Sequence, residues 1–197
     1  MNVRLLRHAP TQGNAEKRYI GITDEPLSNE GMALARACGG DAALARVYVS
    51  PLLRTQQTAA IWHPNAKQVI MGGLAEMNFG AFENKNYLDL QHDTAYQAWL
   101  DTQCTGICPG GEDMAGFTQR VCEAFAHIMR MAAAAGENSV AIVAHGGTVM
   151  AVMSRYATEE KSYFDWHVQP CEGYAFEWLP DADTIITSYQ PISGGRR

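Results

Sequence analysis

The fold of this chain is decided by the stretch SVAIVAHGG at residues 139–147, where a continuous apolar run stops at His145. A strand that is apolar on both sides needs cover on both faces, and such strands lie at the centre of parallel sheets covered by helices. We therefore expect a buried central strand that ends at a histidine, with helices packed on either face of the sheet.

Strand and helix patterns alternate along the rest of the chain, which predicts an α/β fold: a three-layer α/β/α sandwich with a mostly parallel central sheet. Ser28 is the predicted N-cap of a helix over 27–40, and Pro51 is expected to open a helix over 51–62. The other predicted elements are strands at 2–7, 45–50, 67–71, 173–179 and 184–190, a turn at 180–183, and helices at 112–136 and 148–156.

Residues 72–113 break this alternation, because they are rich in Gly, Asn, Asp and aromatic residues and show only short helical pieces, at 87–91 and 96–100. A stretch of this length is too long for a simple loop, and long irregular insertions in compact domains commonly form lids or substrate walls. We therefore expect a single domain over 1–197 with a lid-like insertion at about 72–113.

Composition excludes several classes of partner. The 197 residues are 47% apolar and 18% charged, and the formal charge is −6, with no basic run apart from Arg196 and Arg197 at the end. A nucleic-acid or anionic membrane surface is therefore disfavoured, and no apolar run approaches membrane-spanning length. The composition allows a monomer or a homodimer.

The five cysteines are an odd number, and the chain opens on strand residues with no signal peptide in front, so we expect reduced thiols and a cytoplasmic location. The pair in CTGIC, residues 104–108, lacks zinc-knuckle spacing and has no second pair after it. The sequence therefore predicts no metal site.

Polar residues follow three of the predicted strands. Arg7 and His8 follow the first, Arg54 comes just after the second, and His145 ends the apolar run. Ligands of open α/β sheets bind beyond the carboxyl ends of the strands, so these groups should meet there, together with the nearby Asn14. Guanidinium groups match phosphate oxygens bidentately, and the set contains no carboxylate. We infer that the ligand carries a phosphate group.

A neutral imidazole is a competent nucleophile at phosphorus, and His8 stands directly after a strand, which gives it a rigid mount. The leaving alkoxide needs a proton. Glu76 lies among apolar residues, which would raise the pKa of its carboxyl towards neutrality, so we predict that Glu76 is the general acid. Glu83 is a nearby rival for this role.

Four segments together resemble the histidine phosphatase superfamily, the phosphoglycerate mutase-like enzymes, over most of the chain. LLRHAPTQGN (5–14) is similar to the family's Arg-His-Gly-x-Thr signature with its downstream Asn, and SPLLRTQQTA (50–59) to its second-arginine motif. LAEMNFGAFE (74–83) resembles the segment that carries the acid, and VAHGG (143–147) the second-histidine motif.

The resemblance implies a phosphoglycerate mutase-like fold and a phosphatase that needs no metal or other cofactor. By the same resemblance His8 would be phosphorylated, and Glu76 would donate the proton. The residues implied to hold the phosphoryl oxygens are Arg7, Asn14, Arg54, His145 and Gly146. One departure is Ala9-Pro10, where the family usually has Gly and a polar residue, and Pro10 removes one N–H donor beside the nucleophile.

A mutase of this family also holds the carboxylate of its substrate, with a Ser or Thr before the glycine of the second loop and with basic residues in the insertion. Here Ile20 precedes Gly21, and Lys85 is the one Lys or Arg between residues 72 and 111. Hydrolysis of a small phosphorylated metabolite is therefore favoured over mutase action, and the segment YIGITDEPLS (19–28) resembles the α-ribazole phosphatase-like and broad-specificity members.

The leaving group should contact the loop at Gly21 and the insertion at Phe79 and Phe82, which lie closest to Glu76; Tyr87, Tyr96 and Trp99 are further candidates. Packing of these rings within the insertion is an equal alternative for each of them. No role is assigned to the other histidines, at 63, 92, 127 and 167. A different class of function, a catalytically inactive module that binds a phosphorylated ligand, stays open.

Overall fold

A computed structural model describes residues 1–41, 43–179 and 185–194 of the chain. The strands are β1 (Asn2–Arg7), β2 (Arg46–Val49), β3 (Lys67–Ile70), β4 (Ser139–Ala144), β5 (Gly173–Glu177) and β6 (Tyr189–Ile192). The α-helices are α1 (Gln12–Ala15), α2 (Asn29–Cys38), α3 (Leu53–Trp62), α4 (Tyr87–Leu90), α5 (Thr94–Asp101), α6 (Met114–Ala134) and α7 (Gly146–Tyr156). None of the helices in these ranges is long and apolar enough to cross a membrane.

The six strands form one sheet in the order β3-β2-β4-β1-β5-β6. Strands β1 to β4 run parallel, whereas β5 pairs with β1, and β6 with β5, in the antiparallel sense. The predicted α/β class with a mostly parallel sheet is therefore confirmed. The two strands that carry the predicted histidines, β1 and β4, are central neighbours.

Strand β4 shows why the sheet needs two helical layers. Val140 and Ile142 belong to the core that α6 and α7 cover, whereas Ala141 and Val143 belong to the core beneath α2 and α3. Alternate side chains of a strand point to opposite faces, so a strand of apolar residues is buried on both sides. Five of its six residues are buried, as the run at 139–144 predicted.

Several predicted boundaries are wrong. Helix α7 begins at Gly146 and not at 148, and β5 ends at Glu177 and not at 179. Helix α3 begins at Leu53, because the Ser50 hydroxyl accepts the Leu52 N–H at 3.2 Å and holds Pro51 in a turn before the helix. The last strand runs over Tyr189–Ile192 and not over 184–190. In that predicted range Ile186 forms only an isolated bridge to Ala157. The edge position of β6 tolerates Pro191, which has no N–H to donate. The turn predicted at 180–183 lies outside the described residues.

Residues 72–113 fold into two 3₁₀ turns and two short helices. Both short helices of the sequence analysis are present, as α4 and α5. Asn86 caps α4 by accepting the Asp89 N–H at 3.1 Å, and Asp93 caps α5 by accepting the Ala95 N–H at 2.9 Å. The segment is anchored by its own aromatic cluster, in which the Phe82 ring lies 5.6 Å from the Trp99 ring.

Candidate active site

Two histidines meet at the carboxyl ends of β1 and β4. Arg7 and Ala144 are in register on these parallel strands, so the next residue of each strand, His8 and His145, emerges at the same edge. The His8 N–H donates to the Ala144 carbonyl at 2.9 Å, and the two ring centroids are 5.2 Å apart in an edge-to-face arrangement. The predicted convergence of these two strand ends is present.

The His8 ring has a defined tautomer. Its Nδ1 lies 2.7 Å from the Ala9 carbonyl oxygen, and a carbonyl can only accept, so Nδ1 carries the proton. The lone pair is then on Nε2. The ring is 3% exposed and lines a cavity. This geometry gives an imidazole whose free nitrogen can attack a bound electrophile.

Both histidines are held in the neutral form. Burial is the main cause, and it keeps the pKa of His8 and of His145 well below the ordinary value. The charge of Arg54 acts in the same direction on both rings. A neutral imidazole is the nucleophilic form, so the fold removes the competing proton from His8.

This burial predicts that the two histidines destabilise the protein in acid. Because their folded pKa values lie below the unfolded value of about 6.5, the unfolded chain binds protons first as the pH falls. Below about pH 6.5, each histidine should lower the free energy of unfolding by up to about 1.4 kcal/mol for every unit of pH. Above that pH we expect no loss of stability from these histidines. The free energy of unfolding, measured with urea between pH 7.5 and 5.5, should fall less steeply with decreasing pH in His145→Asn than in the wild type. The same dependence on pH in both proteins would contradict the claim that His145 is held neutral by burial. His127→Asn, at an exposed histidine, is the control.

The two arginines play different structural parts. Arg7 lines the cavity, and its guanidinium donates to the Val168 carbonyl at 2.7 Å while its buried Nε has no partner among the described residues. Arg54 is fully buried and does not line the cavity. It donates to the carbonyls of Ile20, Gly21 and Thr23 at 3.2, 2.8 and 2.8 Å.

Glu83 holds the loop that binds Arg54. Its carboxylate accepts the N–H groups of residues 21, 22, 23 and 79 at 3.0 to 3.3 Å, and the Thr23 hydroxyl at 2.7 Å. Glu83 is therefore committed to the backbone, which separates it from Glu76. The predicted substrate contact of Gly21 has no support from its position in this structure. Gly21 does not line the cavity, and a Cβ there would lie 1.9 Å from the Met77 carbonyl oxygen.

Glu76 lies against the start of α7. One carboxylate oxygen accepts the Gly147 N–H at 2.9 Å and the other accepts the Met77 N–H at 3.0 Å. Burial is the largest influence on its pKa and raises it, against the lowering effects of these two hydrogen bonds and of Arg54 and Arg7. Glu76 lines the same cavity as His8, so a carboxyl with raised pKa and the nucleophile share one cavity.

Gly147 makes room for this carboxyl. A Cβ at position 147 would lie 2.2 Å from Glu76 Oε1 and 3.0 Å from Phe117 Cζ. We expect Gly147→Ala to displace the Glu76 side chain and to lower kcat/KM for substrates with poor leaving groups by about 10- to 100-fold, while the protein stays folded. The measurement is steady-state kinetics with paired alkyl and nitrophenyl phosphates, and equal losses for both would argue against displacement of the acid.

The cavity has a volume of about 400 Å³ and its walls are largely aromatic and apolar. Phe79 contributes to the wall and lies 5.2 Å from the Tyr19 ring. Phe82 does not. It is fully buried, with its ring centroid 5.4 Å from that of Tyr96, so this structure places it within the insertion, as in the alternative that the sequence left open. Asn14 and Gly146 also line the cavity, with the Asn14 Oδ1 accepting the Thr11 N–H at 3.2 Å.

Much of the wall was not found by sequence reasoning. Trp99, one of the further candidates from sequence, does line the cavity. The lining residues without a prediction are Arg18, Tyr19, Ile20, Met77, Cys104, Met114, Phe117, Gly147, Met150, Tyr163, Phe164 and His167. Most of these lie in separate segments with no shared motif. One signal was available: Ser162 and Asp165 form a capping box around the 3₁₀ turn at Tyr163–Trp166, which orders two of the wall residues.

The chain matches the family described as histidine phosphatase superfamily (branch 1) over residues 3–189. It is 30% identical over 192 residues to an adenosylcobalamin/alpha-ribazole phosphatase of Salmonella typhimurium, covering 89% of this chain and 93% of that protein. It is 29% identical over 160 residues to a 2,3-bisphosphoglycerate-dependent phosphoglycerate mutase 2 of Gloeobacter violaceus, covering 76% and 72%. The crystal structure of the alpha-ribazole phosphatase from Shigella flexneri superposes with a TM-score of 0.79 at 27% identity, over 95% of this chain and 100% of that one.

Proposed function

This chain belongs to the histidine phosphatase superfamily, and from that premise we propose that it hydrolyses phosphate monoesters through a phosphohistidine formed on His8. The observation that carries the proposal is the His8 tautomer. Nδ1 is tied to the Ala9 carbonyl at 2.7 Å, so the lone pair is on Nε2 in a ring that lines the cavity.

The proposed reaction has two steps. In the first, His8 Nε2 forms a bond to phosphorus, the bond from phosphorus to the ester oxygen breaks, and the departing alkoxide takes the proton of the Glu76 carboxyl. In the second, the Glu76 carboxylate takes a proton from a water molecule whose oxygen bonds to phosphorus, and the bond from phosphorus to His8 Nε2 breaks. Phosphate leaves, and neutral His8 and protonated Glu76 are restored.

Positive charge for the phosphoryl group comes from the two arginines. Arg7 lines the cavity with a free Nε, and the charge of Arg54 is close enough to lower the pKa of His8 and to oppose the rise of that of Glu76. The start of α7 at Gly146 adds the positive end of a helix dipole. We propose that Asn14 and His145 bind the remaining oxygens.

Hydrolysis is favoured over transfer of the phosphoryl group to a second hydroxyl of the substrate, because the cavity has few free basic side chains that could bind a substrate carboxylate. Lys85 is exposed and donates to the Ala81 carbonyl at 2.9 Å, away from the cavity wall. Arg18 does line the cavity, but it already pairs with Glu16 at 2.6 Å and with Asp89 at 3.0 Å. A leaving group without its own negative charge fits these walls better.

The aromatic walls support a leaving group that carries a flat ring. Tyr19, Phe79 and Trp99 lie on the cavity, and Phe164, which is 47% exposed, lies at its mouth. Such rings bind other aromatic rings by stacking or edge contact. We therefore propose α-ribazole 5′-phosphate, or another small phosphorylated metabolite with an aromatic group, as the substrate.

A panel of phosphomonoesters assayed with a chelator present tests this function. We expect phosphate release from α-ribazole 5′-phosphate and p-nitrophenyl phosphate, and slower release from phosphoserine and 3-phosphoglycerate. Conversion of 3-phosphoglycerate to its 2-phosphate isomer would indicate a mutase instead. Tight binding of α-ribazole 5′-phosphate with no turnover of any ester would indicate an inactive binding module.

Phe164 provides a test of the leaving-group site. Its exposure means that Phe164→Ala should fold normally, and loss of a ring contact should lower kcat/KM for α-ribazole 5′-phosphate by about 3- to 10-fold. The same variant should change kcat/KM for phosphoserine by less than about twofold, since that ester has no ring to contact. Leu88→Ala, at a residue that is 70% exposed and is not part of the cavity wall, is the control. Equal losses of kcat/KM for both substrates would indicate that the aromatic ring of the leaving group does not contact Phe164.

A further inference from the structure

Ser50 touches the second histidine of the site. The Ser50 Oγ lies 2.7 Å from His145 Nε2, and both residues are fully buried. The other ring nitrogen, Nδ1, is buried and has no hydrogen-bond partner among the described residues. His145 therefore has one nitrogen held by protein and one without a protein partner among the described residues; the ring itself does not line the cavity, but the next residue, Gly146, does.

The hydroxyl proton of Ser50 has two possible acceptors. Ser50 Oγ accepts the Leu52 N–H at 3.2 Å, so its own proton can go to His145 Nε2 or to Thr55 Oγ1, which lies 2.9 Å away. Thr55 donates its single proton to a carbonyl, with the Leu52 oxygen at 2.8 Å and the Ser50 oxygen at 3.1 Å. It can therefore accept from Ser50, and the Ser50 hydroxyl is free to rotate between the two.

A phosphoryl oxygen decides between these two orientations. An oxyanion accepts hydrogen bonds and repels a bare nitrogen lone pair, so Nδ1 must carry a proton when phosphate is bound. In a neutral ring Nε2 then has the lone pair, which needs a donor. We propose that Ser50 is a positioning residue that turns its hydroxyl onto His145 Nε2 and so fixes the proton on Nδ1, where it binds the phosphoryl group. This inference rests on the proposed phosphatase function.

The alternative to a serine donor would be a doubly protonated imidazolium, and the surroundings oppose it. Burial is the largest influence lowering the pKa of His145, and the charges of Arg54 in α3, His8 directly after β1, Arg7 in β1 and Arg120 in α6 add to it. A hydroxyl that can donate without adding charge resolves the conflict between a cationic surrounding and the need for a donor at Nδ1.

The direct test is the tautomer of His145, read from ¹⁵N and ¹H NMR of histidine-labelled protein saturated with inorganic phosphate. We expect a proton on Nδ1 and a bare Nε2 in the wild type, and the loss of this single tautomer, with weaker binding of phosphate, in Ser50→Ala. A wild-type ring that is protonated on Nε2 alone, or a Ser50→Ala ring that keeps the wild-type tautomer, would overturn the proposal. If Ser50→Ala does not fold, Thr55→Val replaces it. That variant removes the competing acceptor and should keep the wild-type tautomer, and a switched tautomer there would also count against the role of Ser50.

Kinetics provide a second readout. Ser50→Ala should lower kcat/KM by about 10- to 100-fold at pH 7.5, the usual loss for a hydrogen bond to a charged group. The affinity for inorganic phosphate should fall as well, because the Nδ1 proton that binds the phosphoryl group is the one that Ser50 fixes. A kinetic loss of this size in a Ser50→Ala variant that keeps the wild-type tautomer would indicate a structural defect and would contradict the proposal. Failure of the phosphatase function itself would appear separately, as an inactive wild type.

Discussion

Replacing His8 with asparagine is expected to lower phosphatase activity by at least about 10⁴-fold, because loss of a nucleophile removes the covalent route altogether. Asparagine can still donate an N–H towards the Ala9 carbonyl, which is the one side-chain hydrogen bond of His8 within the described ranges. The variant should therefore stay folded and retain binding of inorganic phosphate. The measurement is steady-state hydrolysis of p-nitrophenyl phosphate, with circular dichroism to check the fold.

His63 offers a matched control for this variant. Like His8 it is 3% exposed, and its Nδ1 lies 2.9 Å from a main-chain carbonyl, that of Asp41. Unlike His8 it does not line the active-site cavity. His63→Asn should keep activity within about threefold of the wild type, with any loss appearing in stability. Comparable activity of His8→Asn and His63→Asn would refute the nucleophile assignment.

Replacing Glu76 with glutamine should separate substrates by their leaving groups. For an alkyl phosphate, kcat/KM should fall by about 10²- to 10⁴-fold, because an alkoxide cannot depart without a proton. For p-nitrophenyl phosphate the loss in kcat/KM should be less than about tenfold, since nitrophenolate is a stable anion. The ratio kcat/KM is the right quantity because it reports phosphoryl transfer and not the later attack by water.

The same variant should accumulate the covalent intermediate. Without the Glu76 carboxylate the water of the second step lacks a base, so a rapid burst of nitrophenol should precede slow turnover. Glu83→Gln is the control, because Glu83 holds the loop at residues 21–23 and not the leaving group. It should lower stability and reduce kcat/KM for both esters to a similar degree. If Glu76→Gln behaved in that way too, Glu76 would not be the acid.

The pH dependence of Glu76 should follow from its environment. Burial raises the pKa of this carboxyl, so the protonated form persists to higher pH than in a solvent-exposed glutamate. As the pH rises through the pKa of Glu76, the carboxyl loses the proton that it would donate to the leaving group, and kcat/KM for alkyl phosphates should decline. Glu76→Gln should flatten this decline, and p-nitrophenyl phosphate should show little of it in either protein.

The reacting groups of the site were predictable from sequence because they are fixed by position along two strands. An apolar run that ends at His145 and a first strand that ends at His8 must deliver both rings to one edge when the strands are parallel neighbours. Glu76 was distinguished from Glu83 only by the structure, since both lie in one irregular segment. The hydrogen bonds from the backbone to Glu83 depend on a loop about sixty residues earlier in the chain.

The cavity walls were less predictable, for a physical reason. Phe79 and Phe82 are three residues apart in sequence, yet one lines the cavity and the other packs inside the insertion, because local spacing does not fix which way a 3₁₀ turn faces. Phe164 comes from the segment after α7 and carries no motif. Strand β6 was misplaced because Ile185 and Ile186 suggest a strand, whereas the pairing with β5 falls at Tyr189–Ile192.

The position of Arg54 could not have been foreseen either. The motif predicts a guanidinium at the site, and the structure has one whose charge acts on His8, His145 and Glu76. Its two terminal nitrogens are nonetheless bonded to three loop carbonyls, while its buried Nε has no partner among the described residues. Sequence indicates which charge is present, whereas tertiary contacts decide which of its donors are free.

The most direct test of the mechanism is to quench the enzyme during turnover of a ³²P-labelled phosphomonoester and to locate the label under alkaline conditions by mass spectrometry. We expect an acid-labile, alkali-stable phosphoryl group on His8, with NMR of the labelled peptide placing it on Nε2. Label on any other residue, or hydrolysis in which no phosphoenzyme forms even in the slow Glu76→Gln variant, would contradict the account.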